Sequence, residues 1–136
     1  MNQDCIFCKI TAGEIPSEKV YEDDRVLAFM DIKPVSRGHV LVIPRAHSQD
    51  LLSADDETLI DLLPKVKKIA GALIKAVHAD AINISSNNGA ASGQIIFHLH
   101  FHLIPRYQQD GLVGWAHQPS EPKTRAELAE QIKKNL

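Results

Sequence analysis

Residues 98–106 read HLHFHLIPR and carry a histidine at every second position, at His98, His100 and His102. Successive side chains of a β-strand point to opposite faces, so a strand would put all three imidazoles on one face. The apolar residues between them would lie on the other face and pack on a core. A helix would scatter the histidines around its axis, so the alternation predicts a strand.

Three imidazoles in line suggest chemistry rather than packing. An imidazole serves as an acid, a base, a nucleophile or a metal ligand near neutral pH. The alternative is a set of structural or surface histidines, but packing a core does not require three in a row. We therefore place the functional site on this strand.

The chain has 136 residues and a formal net charge of −2. We expect a single domain over residues 1–136, with its core at about 5–107 and a tail at 108–136. The sequence has no basic patch that would suggest binding to nucleic acid. No apolar run approaches the length of a membrane-spanning segment. The start, MNQDCIFCKI, lacks the basic region and long apolar stretch of a signal peptide. Two cysteines are too few for a disulfide framework, so we expect a cytoplasmic protein with reduced thiols.

The remaining patterns predict an α+β domain with one mainly antiparallel sheet. The stretch KVYEDDRVLAFMDI indicates a hairpin whose second strand spans 26–30, and further strands are expected at 39–44 and 81–86. Between them, Ser53 is the expected N-cap of a helix whose apolar residues recur every three or four positions to Val77. Pro64 is expected to kink or split this helix. A weaker helical pattern begins at about Thr124.

The loop before the histidines reads NNGAASGQ, residues 87–94. Glycine lets its backbone approach an anion, and the Asn87 and Gln94 amides can donate to phosphate oxygens. A plain turn is the alternative. Beside the histidines, however, the loop suggests a phosphate-ester site in which imidazole attacks phosphorus and water cleaves the product. His39 and His102 could supply further donors. No P-loop or Asp-rich metal motif is present, so no catalytic metal is expected.

The stretch HLHFHLI resembles the His-φ-His-φ-His-φ-φ signature of the histidine triad family. The resemblance also covers CIFCKITAGEIPSEKVYEDDRVLAFMDIKPVSRGHVLVIPRAH and the NNGAASGQ loop, which are similar to the histidine triad nucleotide-binding branch. It implies a HIT-like fold, a five-stranded antiparallel sheet with two main helices, and a homodimer with a ten-stranded sheet. It also implies hydrolysis of nucleoside 5′-phosphoramidates or related purine nucleotides.

The resemblance further implies roles for single residues. His100 would be the nucleophile and form a nucleotidyl-histidine, with His102 also catalytic. The phosphate would be bound by His39, Asn87, Gly93, Gln94, His100 and His102. The nucleoside would be bound by Asp31 at the ribose and by Ile6, Phe7, Phe29 and Ile32 at the base. Asp31 could instead be a turn carboxylate, and the four apolar residues could instead be plain core.

Two positions depart from or extend this pattern. Many members have Ser where this chain has Ile95, which bears on rate and leaving-group preference. Trp115 could lie near a partner's active site, as a C-terminal Trp does in some relatives, or could fill a core or an interface.

The pair Cys5-x-x-Cys8 could be half of a tetrahedral zinc site. Candidate partners are His47 and His98, since a related bacterial subgroup with this start binds structural zinc through two such histidines. Free thiols and a redox pair are the alternatives.

Three functions stay open at this stage. The first is a phosphoramidase or nucleotide hydrolase, which could also cleave dinucleoside polyphosphates. The second is a nucleotide-binding regulatory protein with negligible turnover. The third is a catalytic metal site built from the three histidines.

Overall fold

A computed structural model describes residues 4–136 of the chain. Its centre is a five-stranded sheet of antiparallel pairs in the order β1-β2-β3-β5-β4. The strands are β1 (Lys19–Glu22), β2 (Val26–Met30), β3 (Val40–Pro44), β4 (Ala81–Ser85) and β5 (Phe101–Arg106). The helices are α1 (Ile6–Thr11), α2 (Asp56–Val77) and α3 (Pro122–Lys133). The α+β class with a five-stranded antiparallel sheet is confirmed.

Different helices cover the two faces of the sheet. Val42 and Phe101 are paired residues of β3 and β5, and both belong to the apolar cluster beneath α2. Leu41 lies on the opposite face, in the cluster that contains residues of α1. Because Leu41 pairs with His102, the alternation along β5 puts His102 on the α1 side and Phe101 and Leu103 on the α2 side.

Helix α2 begins differently from the prediction. Asp55 is its N-cap, and the Asp55 carboxylate accepts a hydrogen bond from the Thr58 N–H at 2.7 Å. Ser53 is not the cap, because its hydroxyl closes a turn with the backbone of Asp50. Pro64 lies inside one 22-residue helix and does not split it. The face of α2 that meets the sheet is apolar, as the three- and four-residue spacing predicts.

Several predicted boundaries were wrong near the histidines. β3 begins at Val40, so His39 precedes it, and β5 begins at Phe101, so His98 and His100 precede that strand. This stretch leaves the sheet because the Leu99 N–H donates to the Ser48 carbonyl at 2.7 Å rather than to a neighbouring strand. The fourth strand ends at residue 85 instead of 86.

The sequence patterns missed α1, whose six residues are too few to show a helical period. The tail helix α3 begins at Pro122, two residues before the expected start. Every residue from 113 to 136 is exposed. Among the described helices, none is long and apolar enough to cross a membrane.

Candidate functional site

The three histidines of residues 98–102 belong to two neighbouring clusters. His98 is fully buried beside the two cysteines, whereas His102 pairs with His39. His100 lies between them, with its ring centre 4.9 Å from that of His102. The structure thus brings together the histidines of the triad with His39 and His47, as the sequence analysis expects.

The first group, which we call the thiol cluster, consists of Cys5, Cys8, His47 and His98. One ligand atom of each residue lies within 4.8 Å of all the others. The Nδ1 atoms of His47 and His98 are 3.3 Å apart. Cys5 Sγ is 3.4 Å from His98 Nδ1, and Cys8 Sγ is 3.4 Å from His47 Nδ1 and 3.7 Å from His98 Nδ1.

These distances fit the corners of a zinc tetrahedron. Zn–S bonds of about 2.3 Å and Zn–N bonds of about 2.0–2.1 Å put two nitrogen ligands about 3.3–3.4 Å apart and a nitrogen and a sulfur about 3.5–3.6 Å apart. The separations in the thiol cluster agree with these values. Two thiolates and two imidazoles are also a ligand set that zinc prefers.

The tautomer of His98 suits a metal ligand. Its Nε2 lies 2.8 Å from the carbonyl oxygen of Pro44. A carbonyl can only accept, so Nε2 carries the proton and Nδ1 keeps its lone pair, pointed at the thiols. Burial, above all, lowers the pKa of His98 to about 4, which keeps the ring neutral as coordination requires.

The second group, which we call the phosphate cluster, consists of Asp31, His39 and His102. The Val35 N–H donates to His39 Nδ1 at 3.1 Å. His39 must therefore carry its proton on Nε2, which lies 2.9 Å from His102 Nδ1 and donates to it. A proton lies where a metal would need a lone pair, so this cluster does not fit a metal even though its ligand atoms converge.

His100 has the tautomer of a nucleophile. Its Nδ1 donates to the carbonyl oxygen of His98 at 2.6 Å, which leaves the lone pair on Nε2. Burial lowers the pKa of His100, while the bond to His98 and the charge of Asp31 act in the opposite direction. The imidazole is therefore neutral and able to attack near pH 7.

His102 offers the complementary group. Because Nδ1 of His102 accepts from His39, its own proton lies on Nε2. Burial, then the neighbouring His100 and His39, lower the pKa of His102 to about 4. The site thus presents one imidazole lone pair and one imidazole N–H on adjacent rings.

The loop of residues 87–94 is built on positive φ angles that favour glycine. Gly89 and Gly93 have φ values of 87° and 90° on either side of a 3₁₀ turn. Within residues 4–136 the amide of Asn87 makes no side-chain hydrogen bond, and its Nδ2 lies beside Gly93. It stays available to a ligand.

The side chain of Gln94 is held by hydrogen bonds within the protein. It is buried, its Oε1 accepts from the Gly89 N–H at 2.7 Å, and its Nε2 donates to the carbonyls of Gln49 and Ile96. Both N–H groups of the amide are engaged within the protein, so the Gln94 side chain supports the loop. The contact of Gln94 with phosphate stays a prediction.

The expected base slot is partly buried core and partly surface. Phe7 and Phe29 meet edge to face with ring centres 5.5 Å apart. Ile6 is 42% exposed and Ile32 is 92% exposed. Near them, the Lys33 N–H holds Oδ1 of Asp31 at 2.7 Å, while Oδ2 lies 3.7 Å from His39 Nε2.

The sequence reasoning missed three contributors to the site. The backbone groups of Val35 and Pro44 set the two histidine tautomers, and no sequence pattern reports such contacts. The third is the double contact of Phe7 with the rings of His98 and His100, which depends on the unpredicted helix α1. Ile95 and Trp115 are 84% and 90% exposed, so neither is core.

Comparisons with known proteins find similarity over most of the chain. The HIT domain family model matches residues 12–109. The chain is 42% identical over 134 residues to the adenosine 5′-monophosphoramidase of Schizosaccharomyces pombe, covering 97% of this chain and 98% of that protein. A Streptococcus mutans crystal structure superposes with a TM-score of 0.94 at 46% identity, over 99% of this chain and 87% of the other.

A Zn-bound histidine triad family protein from Mycobacterium smegmatis superposes with a TM-score of 0.77 at 37% identity, covering 96% of this chain and 97% of that one. The family match spans most of the chain, and the fold agrees with it. The chain described here belongs to the HIT domain family.

Proposed function

We propose that this protein is a hydrolase that removes the leaving group from the α-phosphate of a nucleoside 5′-phosphoramidate or a related purine nucleotide. The observation that carries the proposal is the state of His100, a buried neutral imidazole whose Nδ1 proton is held by the His98 carbonyl. Its only lone pair is on Nε2. The phosphoramidase activity named for the S. pombe relative supports this choice.

The reaction proceeds in two displacements. Nε2 of His100 attacks the α-phosphorus as the P–N bond breaks, and the His102 Nε2–H donates a hydrogen bond to the departing nitrogen, which takes a proton from the solvent. Water then attacks the phospho-imidazolium, the P–N bond to His100 breaks, and the nucleoside monophosphate is released. That water gives one proton to the solvent, so both imidazoles return to their neutral starting states.

The neighbouring groups bind the substrate in this proposal. Asn87, the loop backbone around Gly93, and His39 through its pairing with His102 support the phosphate oxygens. Asp31 binds the ribose hydroxyls through Oδ2, the carboxylate oxygen that the Lys33 N–H does not hold. Ile6, Phe7, Phe29 and Ile32 bind the base, and exposed Ile32 is free to fold over it.

We place structural zinc in the thiol cluster and no metal at the phosphorus. The tetrahedral spacing of the ligand atoms and the unprotonated Nδ1 of His98 support the zinc site. The proton on His39 Nε2 supports a phosphate cluster without a metal. Zinc there would cross-link α1, the loop after β3 and the approach to β5. Two buried cysteines in such a site also suit a reducing cytoplasm.

We also propose a homodimer that pairs β4 with β4 of a second copy to form a ten-stranded sheet. Both β1 and β4 are edge strands. β1 carries an irregular register and the charged pair Lys19 and Glu22, features that discourage pairing. β4 reads AINIS, has no charge, and exposes Ile84.

Ile84→Lys should shift the mass measured by light scattering from dimer to monomer, and an unchanged mass would reject this interface.

The decisive test is turnover of adenosine 5′-phosphoramidate by the wild type and by His100→Ala, with His117→Ala as a matched control in the exposed tail. We expect His100→Ala to lose at least about a thousandfold in kcat/KM, because no neighbouring side chain can replace the nitrogen that attacks the phosphorus. Trapping and mass spectrometry should find the nucleotidyl group on residue 100 of the wild type.

Two other outcomes identify the alternatives. If all three proteins bind AMP but none turns over, the chain is a nucleotide-binding protein with negligible hydrolysis. If wild-type turnover stops at once when a chelator is added, while the fold persists, the reaction uses a catalytic metal. In either case the proposed mechanism falls.

A further inference from the structure

One residue, His98, belongs to both the thiol cluster and the catalytic site. Its Nδ1 lies among the thiol-cluster ligands, 3.4 Å from Cys5 Sγ. Its carbonyl oxygen accepts the Nδ1 proton of His100 at 2.6 Å. The orientation of His98 therefore decides where a metal binds and also which nitrogen of His100 is free to attack.

A second connection runs through α1. Phe7 lies between the two cysteines in sequence, and its ring centre is 5.9 Å from that of His98 and 5.3 Å from that of His100. The same ring contacts Phe29 at 5.5 Å in the expected base slot. A shift of α1 would therefore move the thiols and the wall of the nucleotide site together.

Little inside α1 itself fixes its position. It has six residues, and its N-cap, Cys5, makes no side-chain capping bond. A helix this short is not stable alone and depends on its tertiary contacts. Those contacts are an apolar cluster shared with β2 and β3, the thiol cluster, and a hydrogen bond of 2.9 Å from the Arg45 guanidinium to the Thr11 carbonyl. Four metal–ligand bonds would hold α1 against His98 more firmly than the hydrogen bonds in the cluster.

We propose that metal binding at the thiol cluster and nucleotide binding at the phosphate cluster are energetically coupled through His98 and Phe7. The metal fixes α1 and the His98 backbone, and this presets the tautomer of His100 and the position of Phe7. His98 and Phe7 are positioning residues in this inference. It rests on the zinc and nucleotide sites of the proposed function.

Coupling between two ligands is reciprocal, so it can be measured without turnover. The zinc affinity of the wild-type protein is measured by competition with a chromogenic chelator, in the absence and in the presence of saturating AMP. We expect AMP to tighten zinc binding by at least about fivefold, the lower end of typical couplings. AMP affinity measured by calorimetry should rise by the same factor when zinc is added.

Phe7→Leu separates coupling from mere folding. Leucine keeps the position apolar but removes the ring that contacts both histidines. Because Phe7 also belongs to the proposed base slot, AMP should bind more weakly, but the ratio of its affinities with and without zinc should fall towards one. His117→Ala should keep the wild-type factor. Circular dichroism of the metal-free proteins checks that the chain stays folded throughout.

A second measurement avoids the metal-free state. In cobalt-loaded wild-type protein, AMP should shift the ligand-field absorption, because His98 is a ligand and also a support of the nucleotide site. If AMP changes neither the zinc affinity nor this spectrum, the coupling is rejected while both proposed sites stand. If zinc or AMP fails to bind at all, the corresponding part of the proposed function is rejected and the coupling with it.

Discussion

The thiol cluster and the phosphate cluster each contain two histidines, yet one fits a metal and the other does not. The difference lies in the backbone group that faces one imidazole of each pair. A carbonyl, from Pro44, faces His98 and forces the proton onto Nε2, so a lone pair points at the thiols. An N–H, from Val35, faces His39 and forces its proton towards His102. One backbone dipole therefore selects the chemistry of a whole cluster.

The largest expected effect comes from His98→Ala, which breaks the residue that the two sites share. We expect zinc to fall from one ion per chain to almost none, and the free energy of unfolding to drop by several kcal/mol, because structural zinc contributes directly to folding. Metal analysis and urea denaturation measure both quantities. His100→Ala is the control and should retain its zinc, because His100 is not one of the four residues of the thiol cluster. Zinc retained by His98→Ala would disprove the assignment of the thiol cluster.

His39→Ala tests the phosphate cluster alone. Without the His39 N–H, His102 is free to adopt the other tautomer and would lose its proton donor. We expect kcat/KM to fall about a hundredfold, equivalent to about 2.7 kcal/mol, with zinc content unchanged. His47→Ala is the opposite variant, which should lose zinc but keep the pairing of His39 with His102. A loss of zinc in His39→Ala would show that the two clusters are not separate.

The low pKa of His102 predicts acid sensitivity. Its pKa is about 4 in the folded protein and lies near the ordinary value of 6.5 in the unfolded chain. Between these values the unfolded chain binds more protons, so stability is complete above about pH 6.5 and falls as the pH decreases towards 4. Allowing for the partial exposure of the ring, the loss is on the order of 2 kcal/mol.

The measurement is urea denaturation from pH 7 to pH 4, compared between the wild type and His102→Asn with equal zinc loading. The difference between the two curves should shrink as the pH falls, because Asn does not titrate. Parallel curves would show that His102 is not held neutral in the folded state. Zinc release at low pH affects both proteins equally and cancels in the comparison.

How far the sequence predicts this structure depends on the range of each interaction. The apolar stripe of α2 follows from a local pattern, and the structure packs it against the sheet. The Cys5-x-x-Cys8 pair is also a local pattern, whereas its association with His47 and His98 was expected from the family resemblance, and the structure brings the four residues together. The exit of His98 and His100 from the strand follows from a hydrogen bond between Leu99 and Ser48, which are 51 residues apart, and no local pattern contains it. The engagement of the Gln94 amide by Gln49 is of the same kind.

Ile95→Ser should have the smallest effect, and it refines the comparison at the residue that follows the loop of residues 87–94. Ile95 is 84% exposed and directly follows the buried Gln94, so the change should alter stability by less than about 0.5 kcal/mol. A hydroxyl there could donate one hydrogen bond to the phosphate or the leaving group, worth roughly 0.5–1.5 kcal/mol, so kcat should rise about two- to tenfold.

Ile95→Ala is the matched control. If Ala and Ser raise kcat equally, the gain comes from removing the bulk of isoleucine and not from a new hydrogen bond. Zinc content should be the same in all three proteins, because residue 95 is exposed and is not one of the four thiol-cluster residues.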